Sequence, residues 1–365
     1  MIPDRKDYLK QQAQNGQKIM GVLPALYPRE VLWALEILPA EIWDPPGDIL
    51  HANAHLQTTI CPVVKQSLEF ILTQPDTINS GYLFPHTCDS LQNLATQVKD
   101  LIGVPQPVYT FYNPKGEFNR TTRTYYTDIL RNFQDTLEEI HGPVSPEKLR
   151  EACELGHKID TLRIELQIAR MSDRVDLSNA EYLNILRAGE YLLAHDYLDV
   201  LNSVDILELP IESNDSRILL SGILPPHPNV LSYFDELNIM IVAEDLLAGS
   251  RRVPKFAMDA PGDPLEYLTD RFFLLPPCST RAGSLHERLH YLKQLIIDSK
   301  AQGLLFNIVK FCEPELFDHR LLVKKIKESE IPVLSIDTEL KSGLSGQDKT
   351  RIEAFAELLM DRESL

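Results

Sequence analysis

Cysteine is scarce in this chain, with five among 365 residues: Cys61, Cys88, Cys153, Cys278 and Cys312. An odd, widely spaced set in a chain of this size does not make a disulfide framework. The polar start MIPDRKDYLKQQAQNGQ is no export signal, so a reducing cytoplasm is the expected compartment. Basic residues are also short, 36 Lys and Arg against 53 Asp and Glu, for a formal charge of −17. Such a surface does not replace counterions along a phosphate backbone, which argues against nucleic acid as a partner. No stretch reaches the roughly 18 uninterrupted apolar residues of a membrane span, so no membrane partner is expected. Several fingerprints are missing as well. The chain has no GxxxxGK[ST] phosphate loop and should not itself hydrolyse ATP; it has no GxGxxG for a nicotinamide site and no GxSxG elbow for a hydrolase.

What is present belongs to a soluble globular protein, with 44% apolar and 24% charged residues. The length suits two α/β domains or one large one. From about Ile19 to Asn113, short apolar runs alternate with helical patterns. IMGVLP is an apolar run and a turn; a helix opens near Pro28 with Val31, Leu32, Leu35 and Leu38 at helical spacing; AEIWDP is a short strand. NSGYLFPHTCDSLQNLATQVKDLI repeats strand, polar turn and helix, and QPVYTFYNP is a further strand. From about Arg120 to Tyr197 the segments are long, charged and amphipathic, with SPEK and SNAE as helix starts. Alternation returns near Ser216 in SRILLSGILP, NIMIVAEDLLAGSR, AQGLLFNIVKFCEP and IPVLSIDTEL. The expectation is an α/β fold: two Rossmann- or flavodoxin-like parallel-sheet domains, residues 1–118 and 213–365, with a helical linking bundle at 119–212 between them. The two α/β portions echo each other, each with a cysteine-bearing turn after an apolar strand.

Ligands in open α/β folds collect at the carboxyl ends of strands. Cys88 in GYLFPHTCD and Cys312 in LLFNIVKFCEP occupy such places, and Cys61 precedes a proline at a helix start, near amide donors. All three can point into one crevice. Three converging thiolates suit an iron–sulfur cluster, but intervals of 27 and 224 residues are nothing like a compact ferredoxin run, and on spacing alone they favour three ordinary buried cysteines.

KFCEPELFDHRLLVKKIKESEIPVLSID and SGQDKTRIEAFAELL resemble the C-terminal signature of the 2-hydroxyacyl-CoA dehydratase and benzoyl-CoA reductase family. GVLPALYPREVLWALEILPAEIW, ICPVVKQSLEFIL, FPHTCDSLQNL and VAEDLLAGSRR resemble its other blocks in the same order, so the likeness runs from about Gly21 to Leu359. The resemblance implies one 4Fe–4S cluster per large subunit, held here by Cys61, Cys88 and Cys312. It implies a heterodimer with a paralogous large subunit, an acyl-CoA substrate, and a separate ATP-dependent iron–sulfur activator that delivers single low-potential electrons. ATP belongs to that activator only. The compact length and three-cysteine set resemble the smaller large subunit, which in the dehydratases is usually the electron relay. Alternatives within the family are a double-cubane-cluster reductase of small molecules and a non-catalytic partner protein.

Other residues admit two readings. His86 is an acid near the cluster or a turn residue; His55, with His51 and Gln57, is a contact to thioester or cluster or merely polar loop. Glu313 and Asp89 either tune the cluster and receive protons or cap the next helix. Gly249–Arg252 and Lys310 either hold CoA phosphates or are solvated surface, and Gly346–Arg351 is an anion-binding helix start or a capped turn. Cys153 and Cys278 are expected to be structural.

Overall fold

A computed structural model describes residues 2–363 apart from 74, 116, 117, 282 and 342, with side chains followed to Met360. The N-terminal part runs α1 (Arg5–Gln14), β1 (Lys18–Val22), α2 (Arg29–Ala34), β2 (Ile37–Glu41), α3 (Pro62–Leu72), β3 (Tyr82–Pro85), α4 (Asp89–Thr96) and β4 (Val108–Phe111). Four helices follow, α5 (Arg120–His141), α6 (Pro146–Met171), α7 (Asn179–Ala188) and α8 (Ala194–Asn202) among the described residues. The C-terminal part is β5 (Ser216–Gly222), α9 (Pro228–Glu236), β6 (Ile239–Leu246), α10 (Pro264–Leu274), α11 (Leu285–Ser299), β7 (Gly303–Val309), α12 (Glu313–Lys327), β8 (Val333–Thr338) and α13 (Gly346–Glu363).

The strands form two four-stranded sheets, every pair parallel, in the orders β2-β1-β3-β4 and β6-β5-β7-β8. These are one order written twice, the doubly wound arrangement whose direction reverses between first and third strands. The α/β reading with two parallel-sheet units therefore holds. Strand composition explains it: GLLFNIV of β7 is buried along its whole length, as a strand covered by helices on both faces must be. At the reversal each sheet places a glycine, Gly21 opposite Tyr82 and Gly222 opposite Asn307. A Cβ would sit 2.8 Å from the Tyr82 ring at the first and 2.4 Å from the Asn307 carbonyl at the second. The neighbouring strand approaches too closely there for any side chain.

One detail departs from the sequence pattern. Leu38 lies in β2, not in the preceding helix, because Glu36 takes a left-handed backbone (φ 58°) that ends α2 and lets the strand start at Ile37. The starts of α6 and α7 follow expectation: Ser145 and Ser178 cap them, and Ser178 forms a reciprocal capping box with Glu181.

The long helix α6 packs against α2, α8, α10 and β6, so it spans both sheets. An apolar core fills the space between the carboxyl ends of the sheets. Val22, Leu83 and Phe111 come from one side; Ile223, Leu224, Leu247, Val309 and Cys312 come from the other. The loops bearing chemistry sit over this core. Ala25 and Leu26, after β1, both have positive φ (74° and 55°). They are held by Asn113, whose amide donates to the Leu26 carbonyl at 2.7 Å.

Candidate functional site

Cys61, Cys88 and Cys312 share one local construction: each is the cap residue at the N-terminus of a helix, α3, α4 and α12 respectively. Cys88 follows β3 and Cys312 follows β7, equivalent strands of the two sheets, and Cys61 follows β2 by a longer loop. A cap position leaves the first amides of the helix free to face the side chain. Val63 and Val64 donate backbone N–H to the Cys61 sulfur, Ser90 and Leu91 to that of Cys88, and Glu315 to that of Cys312. Phe311, left-handed at φ 58°, makes the turn that aims Cys312 inward.

The fold brings Cys61 and Cys312 together across the two halves. The Cys312 thiol donates toward the Cys61 sulfur. That contact lowers the Cys61 pKa against the effect of its burial, and two backbone amides assist. The same contact, with burial, pushes the Cys312 thiol well up, so the negative charge of the pair settles on Cys61. Cys88 lies near enough to feel the Cys61 charge; burial pushes its thiol up to about 11. All three are free thiols, each packed on the apolar core.

Among the described residues, no three His, Cys, Asp or Glu side chains gather tightly enough to clasp a single metal ion. A four-iron cluster asks for something different, one thiolate per iron around a larger body. Three thiols on three separate helix caps, with amides aimed at their sulfurs and apolar walls, fit that demand. Cys153 and Cys278 are buried, Cys153 inside α6 and Cys278 beside Arg251 (Nη1 to Sγ 3.6 Å) and Thr280.

The other candidates fall in different surroundings. His86 is half-buried two residues from Cys88, its ring edge-on to Tyr112 with centroids 5.5 Å apart. Its Nε2 stands 3.8 Å from Asp89, and burial together with Lys115 lowers its pKa. His51, His55 and Gln57 are exposed on the loop leading to Cys61. That loop is anchored by Glu69 of α3, whose carboxylate accepts from the His51 and Ala52 amides at 2.8 Å each. Glu313 is exposed in the first turn of α12, a place where its charge favours the helix dipole.

Arg251 requires a correction: it holds no CoA phosphate and is not surface, because its side chain is fully buried and ion-paired to Asp245 and Glu315. Arg252 is bound to Glu41 across the two halves, and Lys310 to Glu339. At α13 the Ser345 hydroxyl accepts from the Asp348 amide at 3.1 Å, which makes this helix start a capped turn.

Sequence reasoning missed Glu69 and the Asp245–Arg251–Arg288–Glu315 set. One signal was available for the latter: Glu244 and Asp245 stand side by side at the carboxyl end of the apolar run IMIVA. A cavity of about 920 Å3 is lined by residues of the N-terminus, α7 and α8 and includes none of the three cysteines.

Comparison with known proteins finds relatives along nearly the whole chain. The family model for the 2-hydroxyglutaryl-CoA dehydratase D-component matches residues 24–359. The chain is 24% identical to the beta subunit of (R)-phenyllactyl-CoA dehydratase from Clostridium sporogenes, over 97% of this chain and 95% of the relative. It is 26% identical to the beta subunit of (R)-2-hydroxyglutaryl-CoA dehydratase from Acidaminococcus fermentans, covering 97% and 96%. It is 24% identical to a subunit of the benzoyl-CoA reductase from Thauera aromatica, covering 95% and 92%.

Proposed function

The chain belongs to the 2-hydroxyglutaryl-CoA dehydratase D-component family, and from that membership we propose that it is the iron–sulfur subunit of an acyl-CoA dehydratase or aromatic acyl-CoA reductase. In this reading Cys61, Cys88 and Cys312 hold one 4Fe–4S cluster, and the chain works beside a paralogous large subunit. Relatives that are themselves named as subunits of larger enzymes support that pairing. The observation that carries the reading is the convergence of capped thiols from both sheets, with Cys312 against Cys61. The proposed division into 1–118, 119–212 and 213–365 puts two ligands in the first part and one in the last, so the cluster would also tie the halves together.

When bound, a 4Fe–4S cluster supplies single electrons at low potential. The chain's own residues set the conditions. Three thiolates would hold three of its irons and leave the fourth without a protein sulfur. Amides of Val63, Val64, Ser90, Leu91 and Glu315 hydrogen-bond the sulfurs and spread their charge. The apolar core keeps bulk water away, which sharpens every electrostatic effect at the site. His86, half-buried beside Cys88, is the candidate best placed to hand over a proton; His55 and Glu313 would meet a partner or substrate from the exposed rim. We assign this chain the role of electron relay, receiving electrons from a separate ATP-dependent iron–sulfur activator, with acyl-CoA chemistry completed in the heterodimer. Localisation in the cytoplasm belongs to the same reading; no described helix is long and apolar enough to cross a membrane.

Anaerobic purification followed by iron and sulfide counting tests this. About four irons per chain is expected, and about eight would favour a double-cubane reductase instead. Cys88→Ala should abolish the cluster's visible absorption; an unchanged spectrum would remove Cys88 from the ligand set. An iron-free wild-type chain, even when prepared anaerobically, would leave only a scaffold role.

A further inference from the structure

Behind Cys312 lies a set of four charges that solvent scarcely reaches. Asp245, near the end of β6, accepts from Arg251 at 2.9 and 3.0 Å and from Arg288 of α11 at 2.9 Å. Arg251 turns Nη1 to Glu315 at 2.7 Å. The Ser279 hydroxyl donates to the same Glu315 oxygen, and Arg288 stands 3.9 Å from it. Side-chain exposure is 0% for Arg251 and Asp245, 2% for Arg288 and 4% for Glu315. Ser221, at the end of β5, completes the set by donating to Asp245 at 2.7 Å.

A buried ion network of this kind is a poor way to gain stability. Desolvating four charges costs about as much as their attraction returns, and well-packed apolar residues of the same volume often do as well. Its position is more telling than its strength. Glu315 is the third residue of α12, the helix that Cys312 caps, and its own amide donates to the Cys312 sulfur. Two guanidiniums and two carboxylates sum to zero, and Glu315 is the member joined to Cys312 by hydrogen bond and by helix. The Glu315 charge also opposes negative charge on the Cys312 sulfur.

We propose that Glu315, kept ionised by Arg251 and Arg288, is a positioning residue that fixes the Cys312 loop and makes the redox group held there more strongly reducing. The inference rests on the iron–sulfur reading above. One-electron uptake lowers the total charge of that group by one, and a fixed carboxylate in a dry surrounding makes the uptake harder. A relay that must pass electrons to a thioester, a very poor acceptor, needs that bias.

The test is redox titration of the anaerobically purified, iron-loaded complex, followed by absorbance and electron paramagnetic resonance. Glu315→Gln should raise the ratio of reduced to oxidised cluster at one poised potential by about tenfold or more, the effect of a unit charge within about 10 Å at an effective dielectric constant of about 20. Arg288→Gln should move the ratio the opposite way. Glu313→Gln, whose carboxylate is exposed and screened by water, should move it far less. Equal ratios for Glu315→Gln and wild type, a shift no larger than that of Glu313→Gln, or shifts of one sign for Glu315→Gln and Arg288→Gln would overturn the proposal. Should Glu315→Gln fail to take up iron, Arg288→Gln decides: a fall in the ratio supports the proposal, and no change overturns it. An iron-free wild type would defeat the cluster reading itself, whereas a loaded wild type with unresponsive variants defeats this inference alone.

Discussion

Three thiols that look alike in the sequence differ sharply in the folded chain. Cys61 has its pKa held down by the Cys312 thiol and by the Val63 and Val64 amides, whereas burial takes Cys88 up to about 11 and the Cys61 contact with burial takes Cys312 well above the ordinary thiol value. Only the thiolate is nucleophilic. In the iron-free chain, iodoacetamide at pH 8 should therefore modify Cys61 first, with Cys88 reacting appreciably only as pH rises toward its own value. Peptide mapping over a pH series checks this, and labelling of Cys88 ahead of Cys61 would contradict it. The difference follows from which helix amides and which second sulfur each thiol meets, and neither is written in the residue itself.

At the scale of elements, the same short device is used twice. Gly21-Val22-Leu23-Pro24 and Gly222-Ile223-Leu224-Pro225 end the first strand of each sheet. Each glycine is paired with a residue of the third strand that leaves no room for a Cβ. Gly222→Ala would press a methyl group against the Asn307 carbonyl, 2.4 Å from the ideal Cβ position. Because that neighbour is backbone and cannot turn aside, a loss of about 1–3 kcal/mol is expected in equilibrium denaturation. Gly262→Ala, with nothing within 4 Å of its Cβ, should stay within about 0.5 kcal/mol of wild type. Equal stability of the two variants would show that β5 and β7 can separate without cost. Helix starts were similarly plain in the sequence, since a serine followed by a helical run needs no distant partner to cap it. The end of α2 was less plain: it depends on Glu36 adopting a left-handed backbone, and hydrophobic spacing carries no sign of that.

For the whole molecule, the question is what keeps the two halves in register so that Cys61 and Cys312 meet. Part of the answer is the shared apolar core, and part is charge. Glu41, at the end of β2, accepts from Tyr27 at 2.9 Å, from Trp43 at 2.7 Å and from Arg252, which follows β6. Arg29 and Arg271, one from each half, both bind Asp160 of α6. Tyr27 and Trp43 donate to different oxygens of Glu41, so Glu41→Gln keeps an acceptor for only one of them and removes the charge that Arg252 needs in a largely buried place. The expected cost is about 3 kcal/mol by urea unfolding, with a lowered midpoint for iron retention in the assembled protein. A loss under about 1 kcal/mol would mean that Arg252 finds another carboxylate.

Much of this protein is decided locally and is therefore present in the order of its residues. The alternation of apolar runs and helical patterns forces parallel sheets covered on both faces, and the blocks around Cys61, Cys88 and Cys312 mark the family, because patterns of burial and capping act over a few residues. What the linear order could not hold is the meeting of groups hundreds of residues apart. Arg251 reads as a surface cation beside Arg252, yet folding buries it between Asp245 and Glu315. Cys312 reads as one more thiol, yet it comes to rest against Cys61 of the other half. Burial and long-range pairing are properties of the packed whole: a charge or a thiol takes its energy from neighbours that only the closed interface supplies.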